Sequence, residues 1–439
     1  MKQVNTVLTV ILLVVLTGCG RNKQSNDDLI IVDVSKSYPK KELILQDFMN
    51  VEYVALETTD EFLTQGLVQD VGKEYLLVTN RNNDGDIFIF DRQTGKGLKK
   101  INRRGQGAEE YARINEIILD ESNDEIFVKS PGNKILVYDL NGEFKRCLNL
   151  GRDISSIFDY DKHNLICYDM SDYHNKGKDR NKSYHILISK QDGSITREIF
   201  IPFKTINTPI VTDGDRFIAN YSYQIRLSNG KWTLMDASAD TLYNYAPDGT
   251  LSPFIVRTPS ANTMEPEIFL YMGIHTDRYY FMETVKNVFN FEKGNGFYTD
   301  ELVYDKKEKA IFQVAVYNDD YAEKRTVAMT AKSINRDIED VTSLSASQLI
   351  EIYKKEQLKD GKLKEIASKL NEEDNPVIML VKQKNSGLKW KRQPTILLRA
   401  VDHPAPAEHS FYSIRRIVDR IDGVALVLYV YYEVVSKRF

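Results

Sequence analysis

The amino-acid sequence predicts an all-β protein, a six-bladed β-propeller with four-stranded antiparallel blades and a small helical insertion near the C-terminal blade. Five segments share one pattern: an apolar strand, a short polar turn and a second strand. The five are DIFIFDRQTGKGLKKI, KILVYDLNGEFKRCL, YHILISKQDGSITREI, DTLYNYAPDGTLSPFI and DELVYDKKEKAIFQVAV. Aligned on Phe90, Tyr138, Ser189, Tyr245 and Tyr304, they lie 48, 51, 56 and 59 residues apart. Four-stranded sheets repeating every 40 to 60 residues or so are typical of β-propellers.

Each segment is expected to form a hairpin with another strand pair before it. Four of the five turns contain Asp, Asn or Gly, which tolerate a tight reversal, and the fifth is rich in lysine. The preceding pairs are exemplified by LVQDVGKEYLLVTN, INEIILDESNDEIFVKS, ISSIFDYDKHNLICYDM and PIVTDGDRFIANYS. Two hairpins per repeat give the four strands of a blade.

A sixth blade is expected to close the ring, because an open ring would expose the edge of a sheet. Three strand-like stretches belong to no other unit: NVEYVALETT near the start, and RTVAMTAKSI and NPVIMLVKQK near the end. We predict that they form a composite blade built from both ends of the domain. The propeller then spans residues 41–384.

Residues 345–372 break the strand pattern. Leu349, Ile352 and Tyr353 recur at helical spacing, and Ser345 is a candidate N-cap. These features predict the helical insertion. The atypical tail, residues 385–439, ends in GVALVLYVYYEVV, which is too short for a confident membrane span. This run could be an extra strand or part of an unstructured tail.

The N-terminus predicts a lipoprotein signal peptide over residues 1–18. An apolar run from Val7 to Leu16 is followed by small residues, as in a signal sequence. The end of the run, Leu16-Thr17-Gly18-Cys19, resembles the bacterial lipobox, which implies cleavage before Cys19 and attachment of lipid to it. Residues 19–40 are then a lipidated flexible tether. The alternative is an ordinary secretory signal with a chance cysteine.

Composition excludes some classes of function. A formal net charge of −4 argues against nucleic-acid binding. The chain contains no HExxH, CxxC or GxSxG motif, so no metal, cofactor or serine-hydrolase site is predicted. Cys147 and Cys167 could form a disulfide beyond the inner membrane, but two free thiols that pack as small apolar groups are the favoured interpretation.

The chain resembles the six-bladed, TolB-like β-propeller lipoproteins of Gram-negative bacteria. The resemblance rests on Cys19 in its lipobox and on VEYVALETT, RRGQGAEEY, KILVYDLNGEF and EEDNPVIMLVKQK, and it covers roughly residues 30–384. It implies a propeller anchored in the outer membrane, at the periplasmic face or the cell surface. It implies no particular substrate and no catalytic residues.

The glycine-rich stretch RRGQGAEEY has two interpretations. A phosphate-binding loop would lead into a helix, whereas this stretch leads quickly into a strand, so a corner between blades is favoured. Arg103, Arg104 and Glu110 would then pair with neighbours or line the channel mouth. Similarly, the oxygen-bearing residues between Asn80 and Asp91 partly match a calcium loop, but a plain Asp-Gly turn is favoured.

Two further stretches supply candidates for ligand binding. The long polar loop YDMSDYHNKGKDRNKSYH contains Tyr173 and His174, and ANYSYQIRL contains Tyr221, Tyr223 and Arg226. Long polar loops with aromatic residues suit contact with glycans or peptides. The alternative for each tyrosine is packing between blades.

The sequence therefore predicts a cell-envelope lipoprotein that binds a ligand, a glycan or a peptide, at the channel mouth without catalysis. One alternative is a polysaccharide lyase or hydrolase that uses a histidine or carboxylate at the channel. Another is a scaffold subunit of an outer-membrane complex, with an outer-membrane protein as partner. The expected membrane contact is through lipidated Cys19.

Overall fold

The computed structural model describes residues 29–384 and, beyond them, the backbone of two short strands in the C-terminal tail. The predicted signal peptide, Cys19 and most of the predicted tether lie outside this part of the chain. None of the described helices is both long and apolar enough to cross a membrane.

Three strands precede the first complete blade. They are β1 (Ile30–Asp33), β2 (Lys40–Ile44) and β3 (Met49–Ala55), with one helical turn, α1 (Leu45–Phe48), before the last. The predicted tether is therefore too long, because β1 lies within it. The apolar Ile30-Ile31-Val32 run pairs in parallel with the outer edge of a later blade.

Blades 1 to 3 are four-stranded antiparallel meanders, as predicted. Their middle strands are covered on both faces by neighbouring blades, so consecutive residues such as Leu76, Leu77 and Val78 are all fully buried. The strands are β4 (Leu67–Val71), β5 (Tyr75–Thr79), β6 (Asp86–Asp91), β7 (Gly97–Asn102), β8 (Glu116–Asp120), β9 (Glu125–Ser130), β10 (Lys134–Asp139), β11 (Phe144–Asn149), β12 (Ile154–Asp159), β13 (Asn164–Asp169), β14 (His185–Ser189) and β15 (Ile195–Ile199).

Blade 4 differs from the prediction in its inner pair. The stretch PIVTDGDRFIANYS forms a separate two-stranded ribbon instead, β16 (Ile210–Asp213) and β17 (Arg216–Ala219). The inner strands come from the next stretch, IRLSNGKWTL, in which seven of the ten residues are buried. The blade contains β18 (Ile225–Ser228), β19 (Lys231–Leu234), β20 (Thr241–Tyr245) and β21 (Leu251–Thr258), with β1 as a fifth strand.

Blade 5 also gains a fifth strand, because β2 pairs in parallel with its outer edge. A second small ribbon lies between its second and third strands. In chain order the strands are β22 (Ile268–His275), β23 (Tyr279–Lys286), the ribbon β24 (Phe289–Asn290) and β25 (Asn295–Gly296), β26 (Thr299–Asp305) and β27 (Ala310–Tyr317).

The sixth blade closes the ring with strands from both ends, as predicted. Its order is β28 (Ile338–Leu344), β29 (Val377–Gln383) and the N-terminal β3. The prediction was wrong about RTVAMTAKSI, which forms no regular strand; β28 takes the expected place. Polar contacts hold that stretch near the centre of the ring instead.

The helical insertion is confirmed as α2 (Ala346–Lys354) and α3 (Lys362–Ala367). Leu349 and Ile352 are buried as expected, whereas Tyr353 is exposed. Ser345 occupies the N-cap position, but its hydroxyl contacts the Ser347 hydroxyl at 2.8 Å and makes no capping bond. In the tail, β30 (Ile417–Ile421) and β31 (Val424–Leu428) pair with each other.

Candidate functional site

The loops of the propeller are distributed unequally between its two faces. We define the upper face of the propeller as the face that carries two kinds of loop: the connections from one blade to the next, and the loops from the second to the third strand of a blade. The lower face carries the remaining turns. In blades 1 to 5 the lower turns have only two to five residues. The upper face carries loops over residues 170–184, 200–224 and 287–298. Long loops on a rigid scaffold commonly bear function.

The helical insertion also belongs to the upper face. Gly66 directly precedes the first inner strand, and the space beside its Cα is filled by Ser343 and Pro376. These two residues flank the insertion in the chain. We call residues 331–336 the channel segment. Apart from this segment, every long loop or insertion of the described propeller therefore lies on the upper face.

The channel segment crosses the centre of the ring. It touches residues on or directly after the inner strands of blades 1 to 4, so the channel is occupied by protein. The contacts are Ala331 carbonyl to the Arg226 guanidinium, Lys332 to Glu116, Ser333 hydroxyl to the Leu227 N–H, Asn335 amide to the Val71 carbonyl and Arg336 to the Tyr160 carbonyl.

Aromatic side chains from two upper loops meet at the mouth beside blades 3 and 4. Tyr173 and Tyr221 stack with ring centroids 5.0 Å apart. His174 lies edge-on to Tyr173 at 6.1 Å and to Phe217 at 5.4 Å. Phe217, on the first ribbon, is 53% exposed, which is unusual for a phenylalanine. We call Tyr173, His174, Phe217 and Tyr221, together with Asp153, the upper-mouth cluster.

Asp153 supplies a carboxylate to this cluster. It directly precedes the inner strand of blade 3, and its charge interacts with both His174 and Tyr221. Burial raises the pKa of Asp153 above its ordinary value, with the nearby Lys129 opposing the shift. The sequence analysis missed this residue, because a single aspartate after Gly-Arg reads as part of an ordinary turn.

A buried polar network supports the cluster from below. The Tyr173 hydroxyl donates to the Asn220 carbonyl at 2.7 Å, and the Tyr168 hydroxyl donates to Asp236 at 3.1 Å. Burial raises the pKa of Tyr168 and of Tyr173 well above the ordinary value. Both hydroxyls are therefore neutral donors across physiological pH. Tyr173 and its neighbours are fixed in place, whereas His174 and Phe217 face solvent.

The other predicted residues divide between structural roles and the channel. Arg226 is buried in the channel wall, and Tyr223 is half-buried close to it. Arg103 bonds the Gly142 carbonyl at 2.8 Å and pairs with Glu143, in the outer turn of the next blade. These contacts place Arg103 at the rim, away from the mouth.

The glycine-rich stretch is a corner between blades 1 and 2. Tyr111 is fully buried; its hydroxyl accepts the Arg103 N–H at 2.9 Å and donates to the Gly85 carbonyl at 2.7 Å. Glu110 accepts the Gly107 N–H at 2.8 Å. Arg104 forms an isolated bridge with Tyr111 through its backbone. The residues of the glycine-rich stretch therefore stabilise the conformation of this corner.

The partial calcium motif forms a self-contained turn. The Asn80 amide donates to the Asp84 carboxylate at 2.7 Å, and the same carboxylate accepts the Asp86 N–H at 3.0 Å. Gly85 has a φ of 93°, which suits glycine. Within residues 29–384, no three metal-binding side chains are arranged to hold an ion. Cys147 is half-buried and Cys167 fully buried, and both are free.

We expect Asp70, in the wall of the channel, to make stability depend on pH. Burial raises its pKa to about 7, although it accepts the Leu119 and Val71 N–H groups. The folded state then holds a proton that the unfolded state releases above about pH 4, so this group's contribution to stability is present at low pH and is lost as pH rises toward 7.

The substitution Asp70→Asn tests this expectation. The free energy of unfolding of the variant minus that of wild type should be about 3 kcal/mol larger at pH 8 than at pH 5. Urea denaturation at both pH values measures the change. A constant difference between variant and wild type would show that Asp70 titrates normally.

Comparisons with known proteins agree with this architecture. A family model described as a six-bladed beta-propeller matches residues 20–343. A solved Bacteroides fragilis protein described as exported has a TM-score of 0.50 and 16% identity, over 79% of this chain and 99% of that chain. No curated protein sequence matches the chain.

Two further solved structures are more distant. A Bacteroides vulgatus protein, from a family known only by number, has a TM-score of 0.45 and 12% identity, over 78% of this chain and all of that chain (100%). BamB from Moraxella catarrhalis has a TM-score of 0.31 and 10% identity, over 78% of this chain and 92% of that chain.

Proposed function

We propose that this chain, which belongs to the six-bladed β-propeller family whose model matches residues 20–343, is a cell-envelope protein that binds a ligand at the upper mouth of its channel without transforming it. The ligand is a glycan or a peptide. The observation that carries the proposal is the concentration of long loops and exposed aromatic rings at one end of an otherwise tightly turned scaffold.

The upper-mouth cluster has the chemistry that such ligands need. Tyr221 and Phe217 offer ring faces or edges for the apolar side of a sugar or for a peptide side chain. Asp153 can accept hydrogen bonds from hydroxyl or amide groups, and His174 can donate or accept. The occupied channel beneath excludes deep insertion, which favours part of a larger molecule over a small enclosed one.

The proposed location is the outer membrane, with the chain anchored through lipidated Cys19. The signal sequence supports export, and the similar Bacteroides fragilis protein is described as exported. Lipid attached to the cysteine would hold the propeller near the membrane surface, because each buried methylene contributes about 0.8 kcal/mol. Palmitate labelling of wild type and of Cys19→Ala tests the anchor directly.

A hydrolase or lyase is a second candidate, because Asp153 and His174 lie close enough for their charges to interact. A carboxylate and an imidazole beside a bound sugar could act as acid and base. Product analysis distinguishes the two functions: a binding protein returns its ligand unchanged, whereas an enzyme shortens it.

We expect glycan and peptide arrays probed with the full chain to identify a ligand, and Tyr221→Ala to weaken its binding about tenfold, since aromatic contacts are common binding hot spots. Tyr243→Ala is the matched control, because Tyr243, like Tyr221, is half-buried but lies within a strand of blade 4 rather than in an upper loop. Equal losses in both variants, or no binding to any arrayed ligand, would contradict the proposal.

A further inference from the structure

A second polar cleft lies on the lower face, between blades 2 and 3. It has a volume of about 360 Å³. Its walls come from the outer strand of blade 2 and from the turns of blade 3. Four basic side chains line it, Lys145, Arg146, Lys162 and Lys190, against one carboxylate, Glu125. The cleft is remote in the fold from the upper-mouth cluster and needs a separate explanation.

Glu125 fixes one wall of the cleft by pairing with two cations. It accepts bonds from both terminal nitrogens of Arg146, at 2.7 and 2.6 Å, and pairs with Lys145 at 2.6 Å. Burial works against ionisation, but bonds from Arg146 and then Lys145 lower the pKa of Glu125 below its ordinary value. This carboxylate therefore stays charged and holds both cations at the cleft.

The opposite wall is held in a similar way by acids, of which Asp120 is buried and Asp159 is partly exposed. Lys190 is only 5% exposed and pairs with Asp120 at 2.5 Å and with Asp159 at 2.7 Å. The Asp161 carboxylate accepts the His163 and Asn164 N–H groups, both at 2.8 Å, and so caps its own turn. The acids around the cleft are thus bonded within the protein, whereas the side chains of Lys145 and Lys162 are exposed at the opening.

Several donors in the cleft remain unused. Arg146 donates its Nε–H to the Lys190 carbonyl and one N–H of each terminal nitrogen to Glu125. Each terminal nitrogen therefore keeps one further N–H. The Lys145 ammonium has one acidic partner for three N–H donors. Lys162 is exposed and has no ion-pair partner among residues 29–384. These groups surround a space large enough for a tetrahedral anion.

We propose that this lower cleft binds a phosphate-like oxyanion, either as free phosphate or as the phosphate group of a phosphomonoester. Glu125 already occupies the paired fork of Arg146, so Arg146 provides only single N–H donors, held in fixed positions because Glu125 and Lys190 fix the guanidinium. Lys145 and Lys162 provide mobile charges at the entrance. The site differs in place and chemistry from the aromatic upper mouth.

Calorimetric titration of the full chain tests the proposal with inorganic phosphate, pyrophosphate and glucose 1-phosphate at low ionic strength. We expect saturable binding that weakens as sodium chloride is added. Lys162→Gln should weaken binding about fivefold, the upper end for one exposed charge pair, without disturbing any ion pair of the folded protein. Lys145→Gln combined with it should abolish measurable binding.

Lys96→Gln is the matched control, because Lys96 is an exposed lysine in a lower-face turn of blade 1. It should bind phosphate as wild type does, and so should Tyr221→Ala, which separates this site from the upper mouth. Preference for glucose 1-phosphate over inorganic phosphate would identify an ester as the source of the anion, and the reverse would identify the free ion. No saturable binding, or equal losses in the Lys162 and Lys96 variants, would overturn the proposal.

Discussion

Deletion of residues 29–56 is expected to prevent the propeller from folding cooperatively. The deletion removes β3, which pairs with β29 along seven residues and supplies the outer strand of the closing blade. It also removes the fully buried side chains Leu45 and Met49. Each buried apolar side chain contributes about 1.5–3 kcal/mol, and the whole stability of a domain is only about 5–15 kcal/mol.

The matched control is deletion of residues 29–39, which removes only β1. That strand adds to blade 4 outside four existing strands, so the ring stays closed without it. We expect a lower melting temperature, since the buried Val32 is lost, but a single transition and a monodisperse protein. Thermal melts followed by circular dichroism and gel filtration measure both variants. A cooperative, soluble 29–56 deletion would show that β3 does not close the ring.

Replacement of Arg226 with methionine is expected to lower the free energy of unfolding by about 3–5 kcal/mol. Arg226 is only 1% exposed, and its guanidinium bonds the Ala331 carbonyl in the channel segment. Its charge also interacts with the buried Glu339. Methionine preserves much of the apolar volume but leaves the Ala331 carbonyl and the Glu339 carboxylate without this partner.

Urea denaturation of wild type, Arg226→Met and Arg226→Lys measures this effect. The lysine variant keeps the charge and should lose less stability. Burial already raises the pKa of Glu339, while Arg226 acts against that shift, so the pKa should rise further in Arg226→Met.

A carboxyl pKa raised in the folded state makes stability fall as pH rises, so the deficit of Arg226→Met should be larger at pH 8 than at pH 5. Adding Glu339→Gln should remove that pH dependence. An Arg226→Met protein as stable as wild type would contradict this account of the channel.

Much of the fold could be predicted because each blade repeats the same local chemistry. Asp-Gly and Asn-Gly turns between apolar runs specify hairpins wherever they occur. Blade 4 shows the limit of this reasoning. The stretch PIVTDGDRFIANYS has a strong strand-turn-strand pattern, yet it forms a surface ribbon, while the shorter IRLSNGKWTL is buried. Which of two hairpins enters the blade depends on burial, and local pattern does not reveal burial.

The candidate site was less predictable, because its parts come from different blades. Tyr173 and Tyr221 are individually conspicuous in long loops, but their stacking joins positions 48 residues apart. The stretch RTVAMTAKSI has strand-like composition, and only its polar contacts with the inner strands of blades 2 and 4 show why it leaves the sheet. Arg103 and Glu110 were conspicuous by charge, yet both serve the corner between two blades.

The most direct test of the proposed function is hydrogen–deuterium exchange of the full chain with and without the ligand found on the arrays. Binding at the upper mouth predicts protection of residues 170–184 and 217–224, with little change in the lower turn 160–163. The ligand should be recovered with its mass unchanged. Protection confined to lower-face turns, or recovery of a shortened ligand, would contradict the proposal.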